Sequence, residues 1–263
     1  MKSLRRLFKG FTASVKSRIK YYGGVAALLL YSIKEYYSDK RGRGRINKII
    51  IMQIYFTGIM ALKIVGLAAL SLGIVTVVQS YYILSNFGVL KRVGDIMNIV
   101  IIRELGPMFT AFIILSRSAT AISAEIGTMM VNDEINALEM LGISSLKFIV
   151  FPRIAGMVIS GVLLTVYFNA ISLIGGFLVV SAIGVLTFDT YINYIISSIT
   201  IIDILISLLK SGIFSLFISG IAIYHGFQAF EQTQIPQVTT KSVVSSIFAL
   251  FFIDIIMTGI FYL

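Results

Sequence analysis

The sequence predicts an all-α polytopic integral membrane protein: five transmembrane helices, an N-terminal amphipathic interfacial helix and a short helix in a cytoplasmic turn. Composition is the first reason. Of 263 residues, 57% are hydrophobic and only 13% are charged, against about 25% charged in a soluble domain. With a mean hydropathy of +0.95, no packed aqueous core of this length could bury so much apolar surface. The second reason is length. Crossing a hydrocarbon core of about 30 Å takes ~20 helical residues, and apolar runs on that scale recur along the chain. The third is charge placement: 13 of the 22 Lys and Arg fall within residues 1–48, opposed only by Glu35 and Asp39.

Residues 1–48 therefore read as a basic cytoplasmic and interfacial segment, and residues 49–263 as a single five-span membrane domain. Residues 2–20 are basic and acid-free like a transit peptide, and precede the apolar run Val25–Tyr31. No small-x-small cleavage site comes after it, so the segment is expected to be retained. Over 19–39, Val25, Leu28, Leu29 and Ser32 share one side while Lys20, Lys34 and Glu35 lie elsewhere. That pattern is too polar to span and suits a helix lying in the interface. The RGRGR run at 41–45, flanked by Lys40 and Lys48, marks a boundary.

Span 1 is expected within 56–83, closing on the aromatic pair Tyr81–Tyr82. Span 2 covers about 96–125, span 3 about 150–180, span 4 about 203–225 and span 5 about 243–262. The basic N-terminal flank outweighs Lys91 and Arg92, which places the N-terminus in the cytoplasm and the C-terminus in the periplasm. Lys63 then lies near the inner end of span 1, where it can snorkel. The outer connection 184–201 is open between a loop and an amphipathic surface helix.

Several functions are excluded or disfavoured. The chain has no cysteine, hence no disulfide, thiol catalysis or thiolate metal site, and His225 is its single histidine. A lone histidine near a span end reads as packed or interfacial, so no metal site is expected. The sequence has no GxxxxGK[ST] loop, HExxH or GxSxG, so neither ATP hydrolysis nor hydrolase chemistry is expected in this chain. A basic patch abutting a span points to anionic lipid rather than to nucleic acid. No catalytic residue is assigned.

What the spans do contain is charge at bilayer depth, which is costly unless it faces protein or water. Arg103 and Glu104 in span 2, Lys210 in span 4 and Asp254 in span 5 all fall roughly 10–14 Å below the outer surface at 1.5 Å per residue. Two cations and two anions at one depth can neutralise each other. The set reads either as a network fixing helix packing or as a polar wall beside a substrate cavity. Pro107, after Gly106, is expected to kink span 2. Small residues recur at four-residue spacing (Ser116, Thr120, Ala124 and Ala119, Ser123, Gly127), which allows close helix approach.

Between spans 2 and 3, VNDEINALEMLG at 131–142 predicts a short amphipathic helix. Asn132 is the expected N-cap, Asp133 and Glu134 suit the positive helix start, and Gly142 ends it. Ile135, Leu138 and Leu141 form the apolar face, with Asp133, Glu134 and Glu139 off it. An acidic turn where positive-inside favours basic residues reads either as a partner contact or as an ordinary interfacial helix. Glu125 and Arg153 flank it and are expected to close the hairpin with a salt bridge. Arg117 has no evident partner in its own helix.

The order RELGP (103–107), Arg117, AEIGTM (124–129), ALEMLG (137–142) and PR (152–153) resembles the MlaE/YrbE-type permease family. These are membrane subunits of ABC transporters that move lipids with MCE-domain proteins. Gln53 with Gly58, Gln79, and TTKSVV (239–244) leading to Asp254 and Thr258 extend the resemblance to about residues 20–263. EQTQIPQV (231–238) departs from it by lacking the glycine-rich character usual there.

The resemblance implies a homodimer served by a separate cytoplasmic ATPase dimer, so that ATP is used by the partner and this chain carries no cofactor. Asp133, Glu134, Ile135, Leu138, Glu139 and Leu141 would form the coupling helix. A phospholipid would be held in an outward-facing cavity near Arg103, Glu104, Lys210 and Asp254. An external MCE-domain carrier and, in some systems, a STAS-domain subunit would complete the complex in a bacterial inner membrane. An ion-coupled secondary transporter and a non-transporting envelope scaffold are the rival readings.

Overall fold

The structure, a computed structural model, describes residues 21–38, 42–87, 89–182, 184 and 187–262. The basic run 1–20, together with Lys40 and Arg41 of the boundary, lies outside the described residues. Helix α1 covers 21–38. After it come five helical runs long and apolar enough to cross a membrane. They are α2 (Arg43–Asn86), α3 (Val93–Val131), α5 (Leu146–Ala182), α7 (Ile201–Gly226) and α8, which as a regular helix runs Ile235–Tyr262. The short helix α4 (Glu134–Met140) joins α3 to α5, and α6 (Phe188–Ser198) joins α5 to α7.

Helix α7 is central, packing on α3, α5 and α8. Its buried face carries a run of small residues, among them Ser207, Ser211, Ser215, Ser219 and Gly220. Small side chains let backbones approach where lipid supplies no hydrophobic drive for helix association. The α2–α5 pair uses the same device. A Cβ placed on Gly73 would collide with the carbonyl of Ser172, and Ser172 donates to the Ala69 carbonyl at 2.9 Å. Outward faces remain apolar and uncovered, as at Leu67, Ile201 and Ile255, as a lipid-facing surface should.

Helix α1 lies against α7 through the face expected for it. Val25, Leu29 and Ser32 are buried, and Gly220 receives Val25 and Leu29 so closely that a Cβ would come within 3.0–3.2 Å of them. His225 sits beneath α1, its Nε2 3.0 Å from the Tyr21 hydroxyl.

The connection 184–201 holds an amphipathic helix, α6, which settles that alternative. It buries Tyr191 and Ile195. The Tyr191 hydroxyl donates to the Leu173 carbonyl at 2.9 Å, and burial pushes its phenol well above the ordinary value. Gly94 packs directly on the Tyr194 carbonyl, pinning α6 to the start of α3.

Two expectations need correction and one is extended. The helix that carries the last span begins at Ile235, ahead of the span expected from about 243, because the glycine-poor stretch 231–238 forms a 3₁₀ turn (Gln232–Gln234) and the first turn of α8. Pro236 is compatible with that position, where its missing N–H would be unsatisfied anyway. The irregularity in α3 is not a kink at Pro107 alone. Residues Asn98–Leu105 are π-helical, and Gly106–Pro107 opens the regular turn after them. Finally, the N-cap position of α4 is Asp133, not Asn132, in a left-handed conformation at φ 57°. Asn136 secures it by donating to Asp133 Oδ1 at 2.8 Å. Gly142, at φ 75°, ends α4 as expected.

The α2–α5 contact gives a direct test. Gly73→Ala forces a Cβ into a backbone carbonyl, an overpacking that costs about 1–3 kcal/mol, so the thermal midpoint in detergent should fall by several degrees. Gly44→Ala, where a Cβ meets nothing within 4 Å, should leave it unchanged or slightly raised.

Candidate functional site

Lys210 is the buried hub of a charge cluster. Its side chain is 1% exposed, and Nζ lies 2.6 Å from Glu104 Oε2 and 2.7 Å from Asp254 Oδ1. It also donates to Thr258 Oγ1 at 3.0 Å and reaches the Arg103 carbonyl at 3.4 Å. Thr258 in turn donates to Glu104 Oε1 at 3.1 Å. One ammonium thus ties together α3, α7 and α8.

Local sequence explains the geometry. Pro107 has no N–H to give the carbonyl four residues back, which is Arg103, and that carbonyl is the one Lys210 reaches. The π-helical stretch carries Arg103 and Glu104 with it, and such insertions recur at functional sites.

The expected four-residue set is therefore only partly one cluster. Glu104, Lys210 and Asp254 come together as expected. The Arg103 side chain pairs with Asp203, Nε to Oδ1 at 2.9 Å. Asp203 is not among the residues that depth along the spans singles out. It also accepts from Asn98 Nδ2 at 2.8 Å and from the Thr200 hydroxyl at 2.7 Å. Thr200 and Asp203 form the capping box of α7, and T-x-x-D at the mouth of a span is the signal that marks it. Counting both subclusters, two cations (Arg103, Lys210) meet three carboxylates (Glu104, Asp203, Asp254). Arg103 borders a cavity of about 470 Å³ with Leu84, Arg92, Asp95 and Asn98.

Further along α3, Glu125 accepts from Arg153 at 2.7 Å, closing the α3–α5 hairpin as expected. Arg153 also donates to the Ile149 carbonyl at 2.9 Å. Beyond them, α4 buries Ile135 and half-buries Leu138. Leu141 is not on that inner face. The helix stops at Met140, so Leu141 turns outward and stands 75% exposed beside Met140 at 84%. The same short element carries Asp133 and Glu134 at its start and Glu139 near its end, with Glu139 accepting from Ser145 at 2.6 Å. An exposed apolar tip on an acidic helix is a fitting docking surface.

Residues 50–260, most of the chain, match the family Permease MlaE. The chain belongs to the MlaE permease family. A "Probable ABC transporter permease protein" of Rickettsia bellii is 30% identical over 81% of this chain and 83% of its own length. The "Intermembrane phospholipid transport system permease protein MlaE" of Haemophilus influenzae is 29% identical over 84% and 87%. The chloroplastic Arabidopsis thaliana "Protein TRIGALACTOSYLDIACYLGLYCEROL 1" is 22% identical over 81% of this chain and 61% of its own length. This MlaE-family chain is thus a membrane permease subunit, a component of a transporter.

Removing one member of a buried ion cluster strands the others, at a cost of about 3–5 kcal/mol. Lys210→Met should therefore lower the thermal midpoint sharply. Adding Glu104→Gln and Asp254→Asn should recover much of the loss, since the stranded carboxylates are then neutral. A triple variant no more stable than Lys210→Met contradicts the hub assignment.

Proposed function

We propose that this chain is the permease subunit of an ABC-type transporter that moves phospholipids between a bacterial inner membrane and an external MCE-domain carrier. It works as a homodimer, driven by a separate cytoplasmic ATPase dimer, with a STAS-domain subunit as a further inner partner. The N-terminus is cytoplasmic and the C-terminus periplasmic. ATP belongs to the partner, and no cofactor is held by this chain.

The observation that carries this reading is α3. One helical run, Val93–Val131, joins the Lys210 cluster at one end to the exposed tip of α4 at the other. In the proposed cycle the ATPase grips Met140 and Leu141 together with the acidic residues Asp133, Glu134 and Glu139 of the same helix. Its closure shifts α4 against the Glu125–Arg153 pair and so moves α3. The π-helical stretch at Asn98–Leu105 is where that motion reaches Glu104, Lys210 and Asp254, beside the lipid. Phospholipid transport is supported by the name of the Haemophilus influenzae relative, and exposed apolar side chains on α2 and α8, such as Leu67 and Ile255, are where a second copy and a lipid would pack.

The test is reconstitution in liposomes with the ATPase and the MCE carrier, following labelled phospholipid. ATP should drive transfer in the wild type. Asp133→Lys with Glu134→Lys should abolish transfer or release the ATPase. Transfer driven by a proton gradient with no ATPase present would establish the ion-coupled alternative instead, and no transfer under either condition favours the scaffold.

A further inference from the structure

A second polar pocket opens between α2 and α3, remote from the Lys210 cluster. It measures about 350 Å³ and is bordered by Gln53, Phe56, Thr57, Arg117, Ser118 and Glu125. Arg117 lies 14 residues after Arg103, about 20 Å along a helix, on the side of the membrane nearer α4. It sits in its own π-helical segment, Leu115–Ala119, the second such break in α3.

The electrostatics of this pocket are unbalanced. Arg117 Nη1 is buried and has no hydrogen-bond partner among the described residues. The carboxylate sharing the pocket, Glu125, is engaged by Arg153 at 2.7 Å and makes no ion pair with Arg117 among the described residues. A buried donor on a charged group left unmet is expensive. Shape and lining then specify the missing partner. Guanidinium forks suit phosphate geometry bidentately. Gln53, Thr57 and Ser118 add polar groups for ester or glycerol oxygens. Met52, Phe56 and Met60 form an apolar wall that is itself exposed at its outer edge, which leaves an exit for acyl chains.

We propose that this pocket is a second phosphodiester-binding site, which takes a phospholipid headgroup in the half of the membrane nearer α4, with Arg117 as its anion-binding residue. The proposal rests on the phospholipid reading above. On that reading the permease has two polar stations on α3, each set in a π-helical break, and Arg117 marks the one nearer the ATPase.

The full-length chain in nanodiscs containing ³²P-labelled phosphatidylglycerol provides the test, with p-benzoylphenylalanine in place of Phe56 in the pocket or of Leu67 on the lipid face. Illumination should label both. A hydrogen bond to a charged group contributes about 1.5–3 kcal/mol, so Arg117→Gln should cut labelling at Phe56 by about tenfold or more and leave Leu67 unchanged. Arg117→Lys should keep much of it, and Ala121→Leu, which fills the pocket from its exposed side, should reduce it without touching the charge.

Unchanged Leu67 labelling certifies that each variant is folded. If Phe56 labelling is the same in wild type, Arg117→Gln and Ala121→Leu, the site does not exist. If excess inorganic phosphate abolishes the Phe56 label, the occupant is a free anion and the lipid assignment falls. Wild-type transfer in the liposome assay combined with an unaffected Phe56 label overturns this site alone, whereas absent transfer overturns the transport reading beneath it.

Discussion

The structure depends most on one buried ammonium. Lys210 is buried where three helices meet, and its charge is tolerable because Glu104, Asp254 and Thr258 close around it. Those partners arrive from α3 and α8, so satisfying the ion fixes where both helices stand relative to α7. The small-residue faces of α7 and of the α2–α5 pair then allow the close backbone approach that brings such short side chains within reach. An interaction of this kind is a poor source of stability but a strong source of register. It is also bistable in principle, because any motion of α3 must break and remake contacts to the same ion.

That places unusual weight on α3. Two π-helical segments interrupt it, and each carries a charge that belongs to a pocket or a cluster: Arg103 and Glu104 in one, Arg117 in the other. A π insertion adds a residue to a turn and rotates the later residues around the helix axis, which is how one helix can present polar groups to different neighbours at different depths. Between the second break and α4, the Glu125–Arg153 pair clamps α3 to α5. In the proposed cycle a displacement at α4 would be handed to α3, and the irregular segments are where it would be absorbed or redirected.

Much of this was legible in the sequence, because hydropathy and charge placement act over twenty residues at a time. The five spans, the apolar face of α1 at Val25, Leu29 and Ser32, the Glu125–Arg153 pair and the Glu104–Lys210–Asp254 grouping all come from depth arithmetic and the cost of stranded charge. The features that escaped are finer than that arithmetic. Asp203 lies at the very start of α7, where a carboxylate reads as a cap, and only the fold reveals that it also holds Arg103. The π segments break the 3.6-residue period on which the pattern reading relies. Leu141 fits the apolar stripe of α4 by spacing, yet the helix ends one residue earlier and turns it outward. Asp133 takes the cap position from Asn132 because the tight reversal after Val131 demands a left-handed residue there, which no propensity scale resolves between two such neighbours.

The central claim is that the state of the cytoplasmic partner reaches the Lys210 cluster through α3. The chain has no cysteine, so Ile99→Cys and Ile260→Cys can carry spin labels near the far ends of α3 and α8, diluted into unlabelled protein so that distances within one chain dominate. Pulsed electron resonance on the complex with its ATPase should give one distance distribution without nucleotide and a distinct one with ATP bound. Asp133→Lys with Glu134→Lys should hold the first distribution under both conditions. A single distribution unchanged by ATP in the wild-type complex, while lipid transfer proceeds, would contradict the account.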